Sequence, residues 1–157
     1  MKVLFLGFGN SAAAVKESPA VLDALGIAVK RIDDIVRTGK VDASDVRLVT
    51  ARLKNFYALY LEKKADGFGL NPDYMKILRS SIVKFIRFSI TPVQSYFNSN
   101  PGKIRTITGN DVQHLLSGPE RMADNKGIPD WADIERTLNI LFTILDNMRG
   151  SQYPAAA

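Results

Sequence analysis

The sequence NPDYMKILRSSIVKFIRFSI, residues 71–90, has the clearest helical pattern in this chain. At 100° per residue its basic side chains lie within an arc of about 140°, and apolar side chains fill the opposite side. The basic side chains are Lys76, Arg79, Lys84 and Arg87. This pattern predicts an amphipathic helix with one basic face, and we expect the rest of the chain to pack around this helix.

The ends of this segment carry residue types that helix ends favour. Asn71 suits the N-cap, Pro72 suits the first helical position, and Asp73 complements the positive end of the helix dipole. Pro92 disfavours the helical conformation of the residue before it, so the helix either ends there or is followed by a short helix through residue 97. We therefore predict a helix over residues 71–90.

Three further segments have apolar residues at the helical spacing of three and four. The first begins at Ser18-Pro19 and ends before Gly39. The second has Ser44 as its predicted N-cap and ends near residue 65, and the third covers residues 129–149. A short helix is expected over 111–116, ended by Gly118-Pro119.

These segments predict an all-α fold: one helical bundle of four long and one or two short helices over residues 1–157. Residues 1–10 are expected to form an extended apolar N-terminal arm, and residues 151–157 an irregular tail. Gly26 falls inside the first long helix, where it predicts either close packing or a kink. The chain of 157 residues is long enough to bury a core without disulfides.

Composition excludes several kinds of site. The chain is 46% hydrophobic and 24% charged, which is typical of a globular protein, and it has no cysteine and one histidine. Disulfides and thiolate chemistry are therefore excluded, and a structural zinc site is not expected. Residues 71–110 carry a net charge of +5, whereas residues 111–157 carry −3.

The chain contains no run of about 20 apolar residues that would suit a transmembrane helix. The apolar core of the N-terminal segment, residues 3–8, is shorter than the about 7–15 residues of a signal peptide. We therefore expect no signal peptide, and a location in the cytoplasm or within an assembled particle.

The N-terminal sequence KVLFLGFGNSA has the G-x-G-x-x-A spacing of a dinucleotide-binding turn. Gly7 and Gly9 would let the backbone approach a pyrophosphate, and Asp33, 21 residues after Ala12, is near the position of a ribose-binding acid. However, Ser18-Pro19 interrupts the crossover helix, and no second βαβ half follows. We favour an N-terminal arm with a turn, and expect no cofactor.

No catalytic constellation is evident. His114 is the single histidine and lies between apolar residues of a short helix, where it is expected at the edge of the core. Asp130 and Asp133 pair near a helix start, where they have a sufficient role in complementing the dipole. We expect no enzyme and no metal site.

The function that we expect is that of a non-enzymatic structural protein, which self-associates or docks into a larger particle as a virion, shell or connector component does. Excess apolar residues at both ends predict subunit contacts at Val3, Leu4, Phe5, Leu6, Phe8, Trp131, Leu138, Phe142 and Leu145. Six cations are expected to face acidic neighbours or packaged nucleic acid: Lys76, Arg79, Lys84, Arg87, Lys103 and Arg105.

Two alternatives share these residues. The same six cations would serve a sequence-nonspecific nucleic-acid-binding module, with affinity that falls steeply with salt. The basic helix is equally compatible with a solvated face that binds nothing. A dinucleotide-binding fragment, through Gly7, Gly9 and Asp33, is the third functional hypothesis.

Overall fold

The computed structural model describes residues 15–100, 106–124 and 126–152. This part of the chain contains six helices and no strand, which confirms the all-α fold class. The helices are α1 (Pro19–Thr38), α2 (Ala43–Ala65), α3 (Pro72–Ser99), α4 (Gly109–Leu116), α5 (Gly118–Ala123) and α6 (Trp131–Gln152). The N-terminal arm, the G-x-G-x-x-A turn, Lys103 and Arg105 lie outside the described residues.

The predicted ends of α1 and the predicted start of α3 are confirmed. The Ser18 hydroxyl accepts a hydrogen bond from the Val21 N–H, and Gly39 closes α1 at φ +78°, a conformation that glycine adopts without strain. The Asn71 side chain accepts from the Asp73 N–H at 2.8 Å. Polar caps at these positions satisfy backbone groups that have no partner within the helix.

The predicted N-cap of α2 is wrong. Asp42, not Ser44, caps the helix: its carboxylate accepts from the Asp45 N–H at 2.9 Å, and the Asp45 carboxylate accepts from the Asp42 N–H at 3.0 Å. This reciprocal pair is a capping box in which aspartate replaces the usual glutamate. Two extra residues thereby join the helix.

Other helix boundaries also differ from prediction. The third helix continues through Pro92 to Ser99 instead of stopping at residue 90. Gly118-Pro119 begins α5 rather than only ending α4, because proline is well suited to the first turn of a helix. The last helix begins at Trp131 and continues to Gln152, so the irregular tail does not begin at residue 151.

One continuous hydrophobic core joins the helices. The main packing partner of α1 is α2, α2 also packs against α6, and α3 contacts α1, α5 and α6. Four residues of α6 are almost completely buried in this core: Ile134, Leu138, Leu141 and Ile144. The described part of the chain therefore buries its last helix against its own other helices, and leaves one side of α3 open to solvent.

Candidate anion-binding cleft

The four basic side chains predicted to share one face of α3 line a single open cavity of about 760 Å³. We call this cavity the basic cleft. Its lining is Val36 from α1, Lys76, Arg79, Ser80, Val83, Lys84, Arg87 and Phe88 from α3, and Ala123 from α5. Positive charge in a concave surface focuses the electrostatic potential and attracts anions more strongly than the same charges on a flat face.

Two of the four cations are held by other parts of the fold. Arg79 donates from Nη1 to the Gly127 carbonyl oxygen at 2.7 Å, which ties α3 to the connection between α5 and α6. Lys84 Nζ lies 3.2 Å from Asp33 Oδ1 of α1. Because both side chains of this ion pair are about half exposed, solvent screens it and it contributes little stability.

The other two cations, Lys76 and Arg87, are exposed. Within the described residues neither makes a hydrogen bond or an ion pair. They are 11 residues apart, which is about 16 Å along the axis at about 1.5 Å per residue, and only about 20° apart around it. Two uncompensated charges therefore lie along one line of the cleft.

The lining of the basic cleft is partly apolar. Val83 is buried, Val36 and Phe88 are half-buried, and Ala123 is exposed. Apolar side chains beside cations suit a ligand that has both apolar and negatively charged groups.

The predicted subunit contacts on α6 divide into two pairs. Leu138 and Leu145 are 1% and 5% exposed and belong to the core of the chain itself. Trp131 and Phe142 are half-buried, and each already contacts α2. The ring centroids of Trp131 and Tyr57 are 5.3 Å apart. The Arg47 guanidinium lies 4.7 Å from the ring centroid of Phe142. The wide apolar surface of α6 is mostly explained by burial within one chain.

A second polar cluster joins α4, α5 and α6. Arg121 donates from Nε and Nη2 to the two carboxylate oxygens of Asp133, both at 2.8 Å, and His114 Nε2 lies 2.8 Å from Asp133 Oδ1. Arg121 also donates to the His114 carbonyl oxygen at 3.1 Å and to the Ser117 hydroxyl at 2.6 Å, while Thr137 is completely buried beside it. This is the cluster that sequence reasoning missed.

The electrostatics of this cluster lower the pKa values of both His114 and Asp133. Burial, followed by the charges of Arg121 and Arg136, lowers the pKa of His114. Burial alone would raise the pKa of Asp133, but the hydrogen bonds and the charge of Arg121 outweigh it and lower that pKa. Because Arg121 already occupies both oxygens of Asp133, the cluster has the chemistry of a structural junction.

Asp33 lies within α1 and pairs with Lys84. The dinucleotide hypothesis needs this acid at the end of a strand, and the described residues contain no strand. That part of the hypothesis is wrong, and its glycines lie outside the described residues.

The described residues contain no cluster of three or more His, Cys, Asp or Glu that could hold a metal ion. None of their helices is both long and apolar enough to cross a membrane. Comparison of the chain with protein-family models, with curated proteins and with solved structures found no match.

Proposed function

We propose that this chain is a non-enzymatic assembly protein that docks, through the basic cleft, on an acidic surface of a neighbouring subunit or particle component. The observation that carries the proposal is the convergence of Lys76, Arg79, Lys84 and Arg87 on one cavity. Two of these cations form no ion pair within the described residues, so they are available to pair with the anionic groups of another molecule. Docking of this kind requires binding alone and no chemical step.

The distribution of charge along the chain supports assembly with like or similar subunits. Residues 111–157 carry a net charge of −3, and several of their acids are exposed. The exposed acids in the described residues of this region are Glu120, Asp124, Asp130 and Asp146. Opposite charges on two parts of one surface steer association and fix its orientation.

The solution mass at two salt concentrations tests this proposal. A single chain has a mass of 17.4 kDa. We expect light scattering to give a higher mass, alone or with an acidic protein, at about 0.05 M salt, and the single-chain mass at about 0.5 M salt, where screening removes the attraction. The double variant Lys76→Glu/Arg87→Glu is expected to remain a single chain at both salt concentrations.

The matched control is Arg52→Glu/Lys54→Glu, which makes the same charge change at exposed positions of α2 that do not line the cleft. It is expected to associate like the unmodified chain. A single chain at every concentration and salt, together with no binding to any acidic protein or polyanion, would contradict the proposal.

Nucleic acid is the second candidate partner, because residues 71–110 contain six cations and only one acid. Each phosphate contact that releases a counterion contributes about 0.9 to the slope of log affinity against log salt for duplex DNA. Substitution of both Lys76 and Arg87 is therefore expected to lower that slope by about 2 in a gel-shift titration. Absence of any shift at low salt would remove this candidate.

A further inference from the structure

We infer that the occupant of the basic cleft is an acidic amphipathic helix of a partner protein. Its apolar side chains would pack on Val36, Val83 and Phe88, and its carboxylates would pair with Lys76 and Arg87. This inference rests on the proposed function and names the class of partner. Helices that place an apolar face in a groove are a common mode of protein recognition.

The apolar part of the lining favours a peptide over nucleic acid. Val36 and Phe88 are half-buried beside the cations, so a partner that covers them gains from removing apolar surface from water. A nucleic-acid duplex presents its charged phosphodiester backbone and keeps its bases stacked inside, so it offers little apolar surface to these residues. A peptide helix offers both kinds of group on one face.

The spacing of the two unpaired cations also matches a helix. Lys76 and Arg87 are separated by about 16 Å along α3, with Ser80 and Val83 between them. Two carboxylates 11 residues apart on a partner helix are also separated by about 16 Å along its axis and by only about 20° around it. If this helix lies along the cleft, one carboxylate can face Lys76 while the other faces Arg87. The apolar residues between these carboxylates would then lie opposite Val83.

Asp33 already occupies part of the site in the way a partner carboxylate would. Its Oδ1 lies 3.2 Å from Lys84 Nζ, so it neutralises one of the cleft's cations and repels an approaching acid. The inference therefore predicts opposite effects from neighbouring charges: loss of Lys76 or Arg87 weakens binding, whereas Asp33→Asn strengthens it.

Fluorescence anisotropy with the full chain and designed probes tests the inference. The main probe is a labelled helical peptide of about 18 residues, with leucines at helical spacing and two glutamates 11 positions apart. A second peptide has Gln in place of Glu, and a third has Ser in place of Leu. The fourth probe is a labelled single-stranded oligonucleotide.

We expect the Leu/Glu peptide to bind most tightly of the four. Lys76→Ala and Arg87→Ala should each weaken its binding about three- to fivefold, as expected for exposed charge pairs. Asp33→Asn should tighten it about twofold, for the same reason with the opposite sign. Lys54→Ala on α2 is the control and should change nothing; thermal unfolding of each variant confirms that it is folded.

The outcomes separate this inference from the proposed function. If the oligonucleotide binds through Lys76 and Arg87 and the Leu/Glu peptide does not, the inference is overturned while docking through the cleft stands. Binding of the Ser peptide as tight as that of the Leu/Glu peptide would also overturn the inference. So would self-association of the chain that the Leu/Glu peptide reverses, because a second copy of the chain would then be the occupant of the cleft. If no probe responds to Lys76→Ala or Arg87→Ala and the chain does not self-associate through them, both ideas fail.

Discussion

Two glycines of the first helical segment have opposite physical roles. Gly26 lies on an exposed face of α1, and a Cβ at this position would meet nothing within 4 Å, so close packing, one of the two predicted reasons for this glycine, is wrong. Gly26→Ala is expected to raise the free energy of unfolding by about 0.5–1 kcal/mol, because alanine loses less backbone entropy in a helix. Urea unfolding measures the change.

Gly39 provides the control, because its φ of +78° is one that residues with a Cβ adopt at a cost. Gly39→Ala should lower the free energy of unfolding by about 1 kcal/mol. If both variants changed stability in the same direction, the assignment of these two backbone conformations would be wrong.

His114 is the single histidine, so it is the one side chain with an ordinary pKa between pH 5 and 8. Its pKa is lowered from 6.5 in the folded chain by burial and by the charges of Arg121 and Arg136, while Asp133 opposes them. The unfolded chain therefore binds a proton at His114 more readily than the folded chain does. The contribution of His114 to the free energy of unfolding is therefore fully present above its pKa in the unfolded chain. It is lost as the pH falls from about 6.5, the ordinary pKa, towards the lower pKa of His114 in the folded chain.

We therefore expect the free energy of unfolding to fall between pH 7 and pH 5 in the unmodified chain. In His114→Gln, which does not titrate, this fall should be much smaller. Denaturant unfolding at a series of pH values gives both curves. An identical pH dependence in the two proteins would show that His114 does not have a lowered pKa.

The start of α2 shows how a local polar network defines an element. The Asp42 carboxylate accepts from the Ser44 hydroxyl at 2.6 Å and from the Asp45 N–H at 2.9 Å, and these bonds lower the pKa of Asp42. Asp42→Ala is expected to cost about 1 kcal/mol of unfolding free energy, since the cap of α2 is lost. Ser44→Ala, at an exposed position, should cost clearly less, and equal costs would favour Ser44 as the cap after all.

The elements that sequence predicts well are those with a long apolar stripe. The spacing of three and four placed α1, α3 and α6 because each buries one broad face, and burial enforces that period. Shorter elements depend on caps and neighbours instead. The six residues of α5 have too few apolar positions for a period, and Pro92 is tolerated within α3 although it has no N–H to donate to the Phe88 carbonyl.

The same distinction applies to the candidate site. That four cations share one side of α3 follows from the 100° period alone. That this side is concave does not, because the opposing parts of the cleft come from Val36 of α1 and Ala123 of α5. Their positions depend on tertiary packing between lining residues that lie 35 to 87 positions apart in sequence, and no local pattern encodes such packing. Likewise, nothing about the separate helices of Arg121 and Asp133 predicts that they meet.

Arg121 connects the C-terminal helices to the basic cleft. Its five donated hydrogen bonds reach Asp133, His114, Ser117 and Thr137, on α4, on α6 and at the start of α5. Two residues further on, Ala123 lines the basic cleft. The position of α5, and with it one part of the cleft, therefore depends on this junction.

Arg121→Met is the change that tests the junction, because methionine keeps much of the apolar stem and removes every donor. It leaves the part-buried Asp133 carboxylate without its forked partner, so the free energy of unfolding should fall by about 1.5–3 kcal/mol, the range for hydrogen bonds to charged groups. Arg136→Met is the matched control: Arg136 Nη2 contacts Asp111 Oδ1 at 3.3 Å in a pair whose arginine side chain is 52% exposed, and its loss should cost less than about 1 kcal/mol. Equal losses of unfolding free energy in the two variants would mean that Arg121 stabilises the fold no more than an exposed arginine does. A larger loss at Arg121, accompanied by weaker binding of anionic probes at the cleft, would show that the C-terminal helices hold the site on α3 in shape.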